Sequence, residues 1–268
     1  MIIRYKKNMP EEMAAHAFEA FDDIENSLGD AVVERRYGPM VFEKKPTVLT
    51  IREHCDEMAA DALLGAAAAR ALQMAKDEEG GVCIRAEVTP GQLKALSPAL
   101  EALGFAGKSA VLRMARRVRA QDAEAVVPEG LTLVCDHLDD EEERRFYIER
   151  LNALFDGGWD AKKLESVRTM PDFTRLLLVD EHGAVGEAIT WTERGIGVVD
   201  NLWVHPDWRG KGAGKYLVLA VCNLWRERGL KGGYGDIWSR LKGAVRMAQS
   251  AGFEPVEAVV EYPYMDVK

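Results

Sequence analysis

The sequence predicts an α/β fold carrying a mixed sheet (α+β in its strand pairing). Three features point to it. Strand-like and helix-like segments alternate along the chain. Three strand-like segments, at 173–179, 184–191 and 196–204, follow one another through short turns. The last of them runs through closely spaced glycines into a strongly helical segment.

In chain order, residues 47–51 read as a strand and 58–74 as a helix. Residues 99–105 close a further helix on Gly104-Phe105, and apolar 110–112 follows as a strand. A basic run (Arg113, Arg116, Arg117, Arg119) then passes into an alanine-rich polar stretch closed by Pro128 and Gly130, as a linker would be. The expected domains are therefore 1–118 and 130–268. After the linker, 131–135 reads as strand and 139–155 as a helix with acidic residues in its first turn. The turns at 180–183 and 193–195 make the next three strands an antiparallel meander. Residues 216–228 are helix, 234–238 strand, and 241–250 helix, with Leu241, Ala244, Val245, Ala248 and Ala251 as its apolar stripe. Residues 257–264 read as the closing strand.

Composition limits the function. A chain of 268 residues suits one large domain or two of ordinary size, and 47% hydrophobic with 29% charged residues is a globular composition. A net charge of −9 argues against a nucleic-acid partner and leaves room for a cationic substrate. No apolar run is long enough to span a membrane, and the start MIIRYKKNMPEEM lacks the core of a signal peptide. Cys55, Cys83, Cys135 and Cys222 are scattered with no CxxC pair, which disfavours disulfides and structural zinc and suits the cytosol. His54, Cys55, Asp56 and Glu57 stand side by side, and adjacent residues rarely point at one ion, so they read as surface and no metal is expected. Monomer and homodimer both fit the sequence.

Chemistry concentrates in Val204-His-Pro-Asp-Trp-Arg-Gly-Lys-Gly-Ala-Gly-Lys215. A strand entering a helix through glycines leaves backbone N–H groups without partners at the positive end of the helix dipole. Gly210, Gly212 and Gly214 let a phosphate approach the backbone, and Arg209, Lys211 and Lys215 add cations. A nucleoside-triphosphate loop would require glycine at Arg209 and a hydroxyl at Tyr216. A dinucleotide fingerprint would require glycine at Lys215. Neither fits.

The pattern V-x-P-x-x-R-G-x-G-x-G, carried by Val204, Pro206, Arg209, Gly210, Gly212 and Gly214, resembles the pyrophosphate loop of the GNAT superfamily of acyl-CoA-dependent N-acyltransferases. The resemblance implies the GNAT fold for residues 130–268, with acetyl-CoA as acyl donor and a small amine as acceptor. It places the pyrophosphate on Arg209, Gly210, Lys211, Gly212, Ala213, Gly214 and Lys215. The pantetheine arm falls on the backbone of Leu202, Trp203 and Val204, with a strand N–H as oxyanion donor. In this family the late helix often starts with an asparagine and carries a tyrosine one turn before its Gly-Phe. Here those positions are Leu241 and Ala248, so Ser239 is the candidate replacement for the asparagine and Tyr262 or Tyr264 for the acid, Tyr264 being preferred.

The attacking ammonium must lose a proton, a task for a carboxylate. Asp200 is the first choice as base, because the period of two puts it on one strand face with Leu202 and Val204. Asp236 and Glu187 are reserves. The helix–loop at 155–160, Trp191, Tyr262 and Tyr264 are expected to shape the acceptor pocket, with aromatic rings holding a cationic amine.

The first half echoes the second: each has a helix ending in Gly-Phe followed by a strand. Its strand-to-helix junction is REHCDE, without glycine and with three acidic residues. Residues 1–118 therefore read as a degenerate GNAT-like copy that has lost its loop. Two other functions compete with amine acetylation: a non-catalytic acyl-CoA-binding sensor, prompted by Leu241 and Ala248, and an aminoacyl transferase of the tandem GNAT-like kind, which the acidity disfavours.

Overall fold

A computed structural model describes residues 1–37, 47–55, 57–119, 125–154 and 158–267. The chain divides into two compact units, Met1–Val111 with Ala258–Lys268, and Leu112–Glu257.

The first repeat of elements is β1 (Ile2–Tyr5), α1 (Glu11–Ala14), β2 (Ala17–Phe21), β3 (Ser27–Tyr37), β4 (Thr47–Cys55), α2 (Glu57–Lys76), β5 (Val82–Glu87), α3 (Pro90–Ala102) and β6 (Gly107–Arg117). Strands β1 to β4 pair antiparallel in sequence order, and β4 pairs parallel with β5. The alanine-rich helix α2 packs Leu63, Leu64, Ala67, Ala68 and Ala71, all but fully buried, against Ala20, Ala31, Val33 and Ile84 of the strands. Alanine gives the best intrinsic helix propensity and brings the helix backbone close to the sheet.

The second repeat is β7 (Thr132–Asp136), α4 (Glu141–Leu154), α5 (Ala161–Arg168), β8 (Thr174–Asp180), β9 (Gly183–Glu193), β10 (Ile196–Val204), a 3-10 turn (Pro206–Trp208), α6 (Ala213–Glu227), β11 (Gly232–Trp238), α7 (Lys242–Ser250) and β12 (Glu254–Val267). Strands β8 to β10 form the expected antiparallel meander, β7 pairs antiparallel with β8, and β10 pairs parallel with β11. The order strand, helix, three strands, helix, strand, helix, strand thus occurs twice, with a second helix, α5, after the first in the second repeat.

The closing strands do not stay with their own repeats. In the first unit the end of β12 pairs with β5, from Tyr264↔Arg85 to Val267↔Val82. In the second unit β11 has the latter part of β6 as its neighbour, where Val118 N–H donates to the Lys231 carbonyl at 2.9 Å. Contacts therefore draw the unit boundaries inside β6 and β12 and not at the linker between 118 and 130. Part of that linker, residues 120–124, lies outside the described residues.

The second unit has a core on each face of its sheet. On one face α6 buries Ala213, Tyr216, Leu217, Ala220, Val221 and Trp225, a stripe at the helical i, i+3, i+4 spacing. On the other, Tyr147 and Leu151 of α4 and Leu164 of α5 pack with Ile189, Trp191 and Val198. Trp225 is fully buried and donates its indole N–H to Thr190 Oγ1 at 2.8 Å. Its ring lies so close to Gly197 and Gly233 that a Cβ on either would come within 2.5 Å of it. Glycine at both positions lets the first β10–β11 pair, Gly197↔Gly233, form beneath the indole.

Helix α5 is absent from the sequence reading, as are β1, β2, β3 and β5. Helix α5 does carry a start signal: the Asp160 side chain accepts from Lys163 N–H at 2.7 Å as an N-cap.

Candidate active site

The glycine run takes the conformation that anion binding requires. Gly210 has φ +76 and Gly212 has φ +91, the left-handed region that glycine enters without a Cβ penalty. Gly212 is the N-cap of α6 and brings no side chain to cap it, so the first-turn amides of α6 lack an intrahelical partner. A Cβ on Gly210 or Gly212 would meet nothing within 4 Å, so open space lies beside both.

Gly214 differs from the other two glycines. Its Cβ would point at Val204 Cγ2 (3.5 Å) and Met247 Cγ (3.7 Å), so this position concerns packing of the helix on β10 and α7. Arg209 Nε donates to the Val204 carbonyl at 3.1 Å, tying the loop to the strand end, and Lys211 Nζ lies 5.0 Å from the Trp208 ring centroid. Trp208 Nε1 in turn donates to Asp180 at 3.1 Å. Arg209, Lys211 and Lys215 are exposed. Loop amides, helix dipole and three cations together fit a pyrophosphate.

Strand β10 supplies the second component. It pairs with β11 at Gly197↔Gly233 and Val198↔Tyr234, yet it runs on to Val204. Against β9 its register shifts between Asp200↔Ile189 and Trp203↔Glu187, a bulge in which Asn201 takes φ +52. Two strands parting beyond a bulge expose backbone groups of Leu202, Trp203 and Val204 on the side away from β9.

In the first unit β4 and β5 remain paired over six residues, from Thr47↔Val82 to Arg52↔Glu87, and α2 starts two residues after β4 ends. That unit has neither the parting nor room for a loop like the one at 205–212. Asp56 and the side chains of His54, Cys55 and Glu57 lie outside the described residues, and so does the 155–157 part of the expected specificity loop. Among the described residues no cluster of three or more His, Cys, Asp or Glu could hold a metal ion, and no helix is long and apolar enough to cross a membrane.

The bulge corrects the facing of Asp200. Because three residues of β10 oppose two of β9, alternation breaks at Asn201. Asp200 shares its face with Trp203 and, across the strand, with Ile189 and Glu187. Leu202 and Val204 pack on the opposite, α6 face. Asp200 is exposed, yet protein crowds around it. The resulting desolvation raises its pKa, opposed by the N–H of Asn201, which donates to Oδ1 at 2.8 Å, and by the positive charge of Lys163. Among the described residues it makes no ion pair.

The two reserve carboxylates are engaged. Glu187 is fully buried (0%) and accepts from Arg150 Nε (3.1 Å) and Nη2 (2.7 Å) and from Trp203 Nε1 (3.0 Å). Asp236 takes both Nε and Nη2 of Arg113 at 2.9 Å, a bidentate pair that raises the arginine pKa further. Of the three candidate carboxylates, Asp200 is the one without an ion pair among the described residues.

Tyr264 falls in the first compact unit, where its ring lies against Gly107, so the second unit does not itself bring it beside Asp200. Tyr262 stacks under Arg85 in that same unit, at 4.8 Å. Ser239 is half-buried in the turn after β11, Leu241 caps α7 without a side-chain bond, and Ala248 is buried. A cavity of about 800 Å³ is lined by Arg113, Arg116, Lys231, Ile196 and Tyr234. It lies at the start of β10 and β11, away from the loop at the far end of β10.

Sequence reasoning missed the cations on this face. Lys163 Nζ lies 4.4 Å from the Trp159 centroid, and Arg150 Cζ lies 5.6 Å from that of Trp203. Of the rings expected to hold a cationic amine, Trp159 already faces Lys163 and Tyr262 faces Arg85. The pairing of Lys163 with Trp159 is local, four residues apart, while that of Arg150 with Trp203 joins α4 to β10 across 53 residues and only the packing of that helix on the sheet makes it.

Residues 172–255 match the family model described as Acetyltransferase (GNAT) domain. Among solved structures, the chain resembles a GCN5-related N-acetyltransferase from Sphaerobacter thermophilus (TM-score 0.60, 17% identity, 94% of this chain and 80% of that one). It also resembles a tandem GNAT protein from the clavulanic acid biosynthesis pathway (TM-score 0.52, 14% identity, 94% and 82%). A third likeness is to a GCN5-related glucosamine N-acetyltransferase region of a fungal multi-domain GH3 β-N-acetylglucosaminidase (TM-score 0.54, 13% identity, 93% of this chain and 33% of that one). No curated protein matches. At these identities the structural likeness is one of fold. Residues 172–255 carry the acetyltransferase (GNAT) domain, and over the whole chain the likeness to GNAT structures, one of them a tandem protein, is one of fold.

Proposed function

We propose that the protein is an N-acetyltransferase that moves an acetyl group from acetyl-CoA directly to a small primary amine. The observation that carries this reading is the left-handed Gly210–Gly212 turn opening into the uncapped start of α6, beside the end of β10. Acetyl-CoA supplies a thioester carbonyl. Residues 209–215 hold its pyrophosphate, the backbone of Leu202, Trp203 and Val204 aligns the pantetheine arm, and Ser239 adds a hydroxyl near the end of β11. A β10 N–H stabilises the charge that grows on the carbonyl oxygen. Asp200 takes the proton from the attacking ammonium, directly or through water; its raised pKa makes it a better acceptor than an ordinary aspartate. The departing thiolate needs no side-chain acid, since a thiol leaves readily and water can protonate it.

Calorimetric titration with acetyl-CoA tests the loop. Binding is expected in the unaltered protein and is expected to be lost in Gly212→Glu, which puts a side chain and a negative charge where the backbone is left-handed. Unchanged binding would refute the assignment. Buried Ala248 and half-buried Leu241 favour one second reading, an acyl-CoA-binding sensor. Thiol release across an amine library separates the two, and no turnover on any amine selects the sensor.

A further inference from the structure

The acceptor face of the second unit holds two cations that the acetyl-transfer chemistry leaves unused. Arg150 spends Nε and Nη2 on Glu187, while its Nη1 has no hydrogen-bond partner among the described residues, and the side chain is 27% exposed. Lys163, at the start of α5, makes no ion pair among the described residues and stands close enough to Asp200 to favour its ionised form.

One aromatic assembly links both cations to the base. Lys163 covers Trp159, which meets Tyr147 edge-on at 6.1 Å, and Arg150 lies 6.0 Å from the Tyr147 centroid. The Tyr147 hydroxyl accepts from Asn201 Nδ2 at 3.2 Å, next to Asp200 on the bulge. The face therefore presents Asp200 beside Lys163, with Arg150 joined to it through Tyr147 and Asn201. A ligand that was only cationic would meet repulsion from both and find Trp159 and Trp203 already covered.

Building on the acetyl-transfer reading of this same site, we propose that the acceptor is an amine that carries an acid group of its own. Its amine lies at Asp200, and its carboxylate or phosphate lies at Arg150 Nη1 and the Lys163 ammonium. Charge-assisted hydrogen bonds to a partly enclosed arginine are strong enough to select such a ligand over its neutral analogue by about tenfold.

The test uses matched probes on the full chain loaded with CoA. β-Alanine, γ-aminobutyrate and ε-aminohexanoate are each compared with their carboxamides, and phosphoethanolamine with ethanolamine, by calorimetry and by thiol release from acetyl-CoA. At least one acid-bearing member is expected to bind about tenfold tighter than its neutral partner, and which series does so separates carboxylate from phosphate. Lys163→Met, at an exposed position, should shrink that preference several-fold. Arg150→Lys, which keeps a positive charge beside Glu187, should shrink it further. No acid-bearing probe binding better than its neutral partner, or a preference untouched by both variants, overturns the proposal. Selective binding without any thiol release instead overturns the acetyl-transfer reading and leaves the charge assignment standing.

Discussion

Gly212 and Gly214 are two residues apart in one loop and are expected to respond oppositely to the same substitution. At Gly212, with φ +91, an alanine would be held in the left-handed region at a cost of about 1–2 kcal/mol, although its methyl has open space. If the substituted loop keeps its shape, that cost appears as lost stability of the second unit. If the free loop relaxes, acetyl-CoA must restore the shape, and Kd rises by roughly 5- to 30-fold. The two effects should sum to the same 1–2 kcal/mol. At Gly214 the methyl would sit 3.5 Å from Val204 Cγ2, an ordinary contact, so Gly214→Ala should gain about 0.5–1 kcal/mol from helix propensity and leave Kd within about twofold. Urea unfolding followed by tryptophan fluorescence reads the second unit alone, because all six tryptophans lie between residues 159 and 238. Calorimetry gives Kd. A Gly212→Ala protein altered in neither quantity, or a Gly214→Ala protein that no longer binds acetyl-CoA, would refute the division of labour between the two glycines.

Asp200→Asn should lower kcat/KM by about 10²–10⁴-fold and flatten the acid limb, which in the unaltered enzyme falls as pH drops through the raised pKa of the carboxyl. The stability sign is opposite. A carboxyl whose folded pKa lies above its unfolded value favours the fold below the unfolded pKa and loses that contribution as pH rises through the folded one. Asp200→Asn is therefore neutral or stabilising at neutral pH in a urea titration, and a marked loss there would count against the raised pKa. Glu187→Gln leaves Arg150 without its anion and removes the most distant of three carboxylates around buried Arg175, and should cost about 3–5 kcal/mol; an unchanged midpoint would show that Glu187 is not the structural counter-ion of Arg150. Tyr264→Phe keeps the ring against Gly107 and should hold kcat within about twofold with an unaltered basic limb; loss of that limb would make the hydroxyl the thiolate acid.

The loop was legible from sequence because its features are local. Glycines that need positive φ, a proline that starts a 3-10 turn and cations at a helix start all lie within twelve residues, 204–215, so spacing alone discriminated between phosphate ligands. The meander and the stripe of α6 were legible for the same reason, since each periodicity is complete within its own segment. The facing of Asp200 was not. A period of two holds only along an unbroken strand, and the bulge at Asn201 is visible only when β10 is laid against β9. Nor could the sequence show that Glu187 and Asp236 are occupied, because their arginines lie 37 and 123 residues away.

By itself, then, the amino-acid sequence determined the α/β class, the glycine loop and the anionic ligand it suits, and the loss of that loop from the first repeat. The tertiary structure alone decided which candidate carboxylates are taken by arginines, that Trp203 lies beside Arg150, and which unit each closing strand joins. Those outcomes rest on pairings between residues distant along the chain, and the energies that choose among such pairings come from burial and register, which no local pattern records.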